Sequence, residues 1–212
     1  MIEGDGVNRR DRFLLGCGPA AGAVLVIAVV WASAVTPGIN QSSDTISRLA
    51  APGQPHPWIL RTGLVLCGVL SIAFGVGLLR AQRRGVFRWG VLAGLVVFGF
   101  STAITGLARD YPVRGGSEMG WEGPVHNLFA RVAIYGILAA MAALVPAAAG
   151  RRPARVPAVV FSAVALVLVA AAGLFYPGVP PSFRGLVQRL ALLIIFAWMA
   201  ATAVIARRAA GR

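Results

Sequence analysis

Six apolar stretches dominate the chain, at 13–35, 58–79, 89–108, 127–149, 157–176 and 186–206. Between them lie short segments rich in arginine, proline and glycine. Each stretch holds about 20 residues, and at about 1.5 Å per residue it covers the roughly 30 Å of a bilayer's hydrocarbon core. A transmembrane barrel would instead show short segments that alternate apolar with polar residues. The pattern predicts an all-α, polytopic integral membrane protein. One domain of six transmembrane helices over 13–206 is flanked by short tails, 1–12 and 207–212. Ala32-Ser33-Ala34 resembles a signal-peptidase site, yet the apolar run before it exceeds the usual signal core, so the first helix is expected to be retained. Leu14-Leu15-Gly16-Cys17 resembles a lipoprotein cleavage box but follows charged residues, which such a box does not.

The connections differ in kind. Those at 81–87 and 150–156 are short and basic, whereas those at 36–57, 109–126 and 177–185 are longer and richer in polar residues. With the two tails, and with Arg80 and Arg88 at the adjoining helix ends, the short connections carry 13 of the 20 arginines. Cytoplasmic segments are the arginine-rich ones. Both termini are therefore expected in the cytoplasm, with the protein multi-pass in the cell membrane. Three helical hairpins would then present their working face on the outer side.

Composition sharpens this picture. The chain is 58% hydrophobic and 13% charged, against roughly a quarter charged in soluble domains. Its net charge of +13 comes from arginine alone, without lysine. Because these arginines sit between apolar runs, they suit topology and anionic lipid headgroups, so membrane lipids and not nucleic acid are the expected partners. Cys17 and Cys67 lie within apolar runs without ligand spacing, and with two histidines no metal site is expected. No phosphate-cradling loop, dinucleotide fingerprint or nucleophile elbow is present, and no cofactor is expected.

Candidate chemistry concentrates in the polar segment 109–126, which holds three of the seven acidic residues, Asp110, Glu118 and Glu122, together with His126. An arginine recurs near the start of each even-numbered helix, as Arg61, Arg131 and Arg189. At matching depth these could point inward and form a cationic floor paired with the loop carboxylates Asp44, Asp110, Glu118 and Glu122, and the planar guanidinium fork suits phosphate or carboxylate. Alternatively each guanidinium snorkels to the headgroups. Arg109, Glu122 and Asn127 join the arginines as candidate ligand-binding residues. Ser101, Thr105 and Arg109 share one face of the third helix, although serine and threonine in such helices commonly bond back to their own backbone. His126 near Glu122 and Asp110 could act as a general base, and Ser47 would complete a Ser–His–Asp set if the loops converge. Spacings such as Gly18–Gly22 and Gly90–Gly94 permit close helix packing.

Residues 46–53, Ile-Ser-Arg-Leu-Ala-Ala-Pro-Gly, follow the first helix. Asp110 follows the third, His126 opens the fourth, and Gly185-Leu186-Val187-Gln188-Arg189-Leu190 opens the sixth. In order and position these motifs resemble the bacterial six-helix membrane family catalogued as domain of unknown function 998, over roughly residues 13–206. That family often has an acidic residue after the serine, where this chain has Arg48. The resemblance implies an integral membrane protein and leaves its reaction open. Three functions are then in view. The first is binding, carrying or sensing an anionic lipid or isoprenoid-phosphate headgroup in an outer-side pocket. The second is an intramembrane enzyme, either a hydrolase using Ser47, His126 and Asp110 or a cyclase initiated by Asp110 or Glu118. The third is a structural membrane subunit.

Overall fold

A computed structural model describes residues 8–81, 85–108, 121–148 and 156–210. Helices α1 (Arg9–Val35), α2 (Pro57–Ala81), α3 (Phe87–Leu107), α4 (Glu122–Ala148), α5 (Val156–Phe175) and α6 (Arg184–Ala210) make up nearly all of them. No strand occurs among the described residues. All six helices are long and apolar enough to cross a membrane, and the exterior agrees: Val30, Trp31, Tyr135, Val167 and Leu174 are all exposed. Large apolar side chains displayed so widely would be a liability in water and are expected against lipid.

Helices outrun the apolar stretches. α1 begins at Arg9, and α6 continues through Arg207 and Arg208. Apolarity marks only the hydrocarbon layer, while the backbone stays helical through the headgroup layer beyond it. The start of α1 is capped by the Asn8 carboxamide, which accepts from the Arg10 amide at 3.0 Å, as an N-cap should. α4 likewise begins at Glu122, so His126 lies in its second turn and not at the loop junction. Pro124 is tolerated there because first-turn amides have no intrahelical partner.

Each helix packs on its neighbours in sequence, and α6 closes the ring against α1. α2 meets α3 as extensively as it meets α1, so the contacts do not divide the bundle into three hairpins. α2 crosses α3 closely where Gly68 and Gly99 face one another, and a Cβ on either would run into the other's carbonyl oxygen. Leu15, Phe74, Leu95, Ile137, Met141 and Trp198 are wholly buried inside. The indole Nε1–H of Trp198 donates to Ser162 Oγ at 2.9 Å, which ties α6 to α5 without a buried orphan donor.

Contacts at the helix ends fix which ends lie together. Arg207 Nη2 donates to the Arg12 carbonyl at 2.7 Å, and Arg80 Nε pairs with Asp11 Oδ1 at 2.6 Å. The start of α1 and the ends of α2 and α6 therefore share one end of the bundle. The segment 36–56, which joins α1 to α2, lies at the other end.

Candidate functional site

The segment 36–56 is folded back as a strap over the start of α6. It leaves α1 through Gly38, whose φ of +72° falls in the left-handed region that glycine enters freely. Asn40 then organises a tight turn. Its side-chain oxygen accepts from the Ser42 and Ser43 amides at 3.0 and 3.4 Å, and its own amide donates to Asp44 Oδ2 at 2.9 Å. Asp44 also pairs with Arg48. Burial alone would push the Asp44 carboxyl up, but the Asn40 amide, the Arg48 guanidinium and the charge of Arg189 together hold it below its ordinary value. A 3₁₀ turn at Ile46–Ala50 buries Ile46, Leu49 and Ala50 against the bundle. Leu49 is 0% exposed.

Three contacts dock this strap on α6. The Leu186 amide, a first-turn donor of α6, reaches the Ser42 carbonyl at 2.9 Å. Gln188 Oε1 accepts from the Ile46 amide at 2.7 Å. Arg189 Nη1 donates to the Asp44 carbonyl at 2.7 Å and to that of Gly185 at 3.0 Å. Gly185 makes the approach possible, since any Cβ there would meet the Asp44 and Gln41 carbonyl oxygens.

Beneath the strap, between α1 and α6, lies a groove of about 450 Å³. Leu25, Val29, Val30, Leu192 and Phe196 are among its walls, and its polar lining is Ser33, Gln41 and Arg189. On α1 the lining runs from Leu25 to Ala34, about 14 Å of helix and so about one leaflet deep. Val30 is 62% exposed, which opens the groove sideways to lipid. Arg189 is half-buried at the polar end. Its Nε and Nη2 are both shielded and, among the described residues, have no hydrogen-bond partner; the same holds for Ser33 Oγ. An unpartnered buried donor costs about 1–3 kcal/mol, more when charged, so these atoms favour an incoming acceptor.

The other sequence candidates lie elsewhere. Arg61, on α2, is half-buried, and its Nε has no partner among the described residues. Arg131 and Asn127, on α4, are exposed, and Glu122 is half-buried. None of these four lines the groove. Arg109, Asp110 and Glu118 lie outside the described residues. His126 is 2% exposed, and its Nδ1 stands 3.0 Å from the Thr105 carbonyl oxygen and 3.2 Å from that of Ala108. Carbonyls only accept, so Nδ1 carries the proton and the ring ties α4 to the end of α3. Ser47 Oγ lies 3.1 Å from Thr45 Oγ1, in a turn packed on α1, α2 and α6. Thr105 donates to the Ser101 carbonyl at 2.8 Å, so this member of the α3 stripe bonds to its own helix.

Sequence reasoning selected Arg189 but missed Gln188, Gln41, Ser33 and the Asp44 carbonyl. A glutamine and an arginine adjacent at the start of an apolar helix were the available signal. The segment that folds onto them lies some 140 residues earlier. The sequence offered Asp44 only as one of four loop carboxylates able to pair with the arginines, whereas Arg189 bonds its backbone carbonyl.

Comparison with curated proteins and with solved structures returns no match. The model of one family, described as "Protein of unknown function (DUF998)", matches residues 20–205, and the chain therefore belongs to that family.

Proposed function

We propose that the protein binds the headgroup of an anionic lipid, phospholipid or isoprenoid phosphate, in the groove between α1 and α6, and so carries or senses that lipid without chemical turnover. The observation that supports this most directly is Arg189. It is a cation at the polar end of an otherwise apolar, laterally open groove, with two shielded nitrogens that have no hydrogen-bond partner among the described residues. Intramembrane charges characteristically face a bundle interior or a cavity and mark a ligand path. In this reading the tail lies along α1 and α6 and the strap covers the headgroup. The arginine asymmetry supports a strap on the non-cytoplasmic face of the cell membrane, with both termini inside. The hydrolase alternative draws no support from Ser47, whose hydroxyl is paired with Thr45.

Native mass spectrometry of the full chain, extracted in mild detergent, tests this. Anionic lipid is expected to remain bound to the wild type and to be lost from Arg189→Gln. Retention of the same lipids by Arg189→Gln, or a wild type that arrives bare, contradicts the reading.

A further inference from the structure

The atoms that Arg189 leaves unpartnered narrow the ligand class. A guanidinium offers several donor edges, and in Arg189 they are not equivalent. Nη1 is committed to the carbonyls of Asp44 and Gly185. Nε and Nη2 remain, and neither has a partner among the described residues. These two nitrogens form one side of the planar fork, with two nearly parallel N–H bonds. That edge matches an anion presenting two oxygens in one plane. It is also a single positive charge. Among the residues lining the groove Arg189 is the one cation, and the others at its polar end, Ser33 and Gln41, are neutral. A dianionic or pyrophosphate headgroup brought into this setting would leave a negative charge without a counter-charge, at a cost that grows as the surroundings become less polar.

We propose that the groove takes a bilayer lipid carrying one negative charge shared by two oxygens, a phosphodiester or a carboxylate, seated on the Nε/Nη2 edge of Arg189 with its chain between α1 and α6. This rests on the lipid-binding reading above and goes further by excluding phosphate monoesters and pyrophosphates as preferred ligands. The headgroup enters from the lipid side, where Val30 and Leu193 are exposed, and must part the side chains that shield the two nitrogens. Two charge-assisted hydrogen bonds offset that displacement. The Ser33 hydroxyl, shielded and without a partner among the described residues, is a further donor for the ester or glycerol oxygens just below the anion.

The test is a titration of the delipidated full-length protein in detergent, followed by native mass spectrometry. The probes are phosphatidylglycerol, oleate, farnesyl phosphate and diacylglycerol, the last having tails but no anion. The variants are Arg189→Lys, which keeps the charge and loses the fork, and Ala34→Trp, which fills the groove at an exposed position. Phosphatidylglycerol or oleate is expected to bind at least about tenfold more tightly than farnesyl phosphate or diacylglycerol. Arg189→Lys is expected to weaken the favoured ligand by about tenfold or more. Binding of phosphatidylglycerol alone identifies a phosphodiester, and binding of oleate alone a carboxylate. If Arg189→Lys binds like the wild type, or farnesyl phosphate is preferred, the two-oxygen, single-charge inference is overturned while groove binding survives. If Ala34→Trp binds like the wild type, the groove itself is the wrong place and both readings fall. Elution of every variant as the wild-type species on size exclusion separates lost binding from lost folding.

Discussion

Arg189 and Gly185 belong to one arrangement. The side chain reaches back one helical turn to the Gly185 carbonyl and across to the strap, and the missing Cβ at Gly185 lets the strap come that near. Gly185→Ala should therefore lift the strap or shift α6, at about 1–3 kcal/mol for overpacking against backbone, seen as a lowered midpoint of thermal unfolding in detergent. An unchanged midpoint would mean that the contact is loose. His126 serves a different end. With its Nδ1 proton held between the Thr105 and Ala108 carbonyls, His126→Ala should destabilise the α3–α4 pairing by about 1–3 kcal/mol and leave lipid affinity unchanged. Loss of lipid binding in a folded His126→Ala protein would move the site towards α4. Sequence position suggested a common depth for Arg61, Arg131 and Arg189, each near the start of an even-numbered helix. It did not give the direction in which each points, because that depends on the neighbouring helix. Arg131 faces outward, and Arg189 lines a groove.

Of the elements, the six helices were legible because a spanning segment must be apolar over its whole length, and that constraint is written locally. Their ends were not, because α1 and α6 run on through arginines and α4 starts within a segment read as loop. The strap was invisible for another reason. A polar stretch with prolines and glycines reads as a connection, yet Ile46, Leu49 and Ala50 form a buried plug whose partners lie on α1, α2 and α6. Its acid sensitivity follows from Asp44. A carboxyl held below its ordinary 3.8 is bound to its partners most strongly when ionised. Its contribution to stability is complete above that value and is lost as pH falls through the lowered folded one. The advantage in thermal stability of the wild type over Asp44→Asn should accordingly be constant from about pH 7 to about pH 5 and shrink below about pH 4. An advantage that grows on acidification would contradict the pairing.

For the whole molecule, the decisive feature is the closure of the ring by α1 and α6. These helices are distant in sequence, and the groove exists only because they meet. The polar residues at its head come from α1, the strap and α6 together, so no local reading could assemble them. Membership of the family and the six-helix architecture were readable from the order of motifs along the chain; the site was not, being a product of closure. The claim is that this seam holds a lipid by its anion, whereas the rest of the apolar exterior meets lipid without preference. Val30 in the groove and Val167 on α5 offer a paired comparison, exposed 62% and 65%. A photo-crosslinking residue placed at each, in membranes of mixed phosphatidylglycerol and phosphatidylcholine, reads that difference directly. Adducts at position 30 are expected to be enriched in the anionic lipid, with the enrichment abolished by Arg189→Gln, while those at 167 follow bulk composition. Equal composition of the adducts at both positions, or enrichment at 30 that survives Arg189→Gln, would contradict the account.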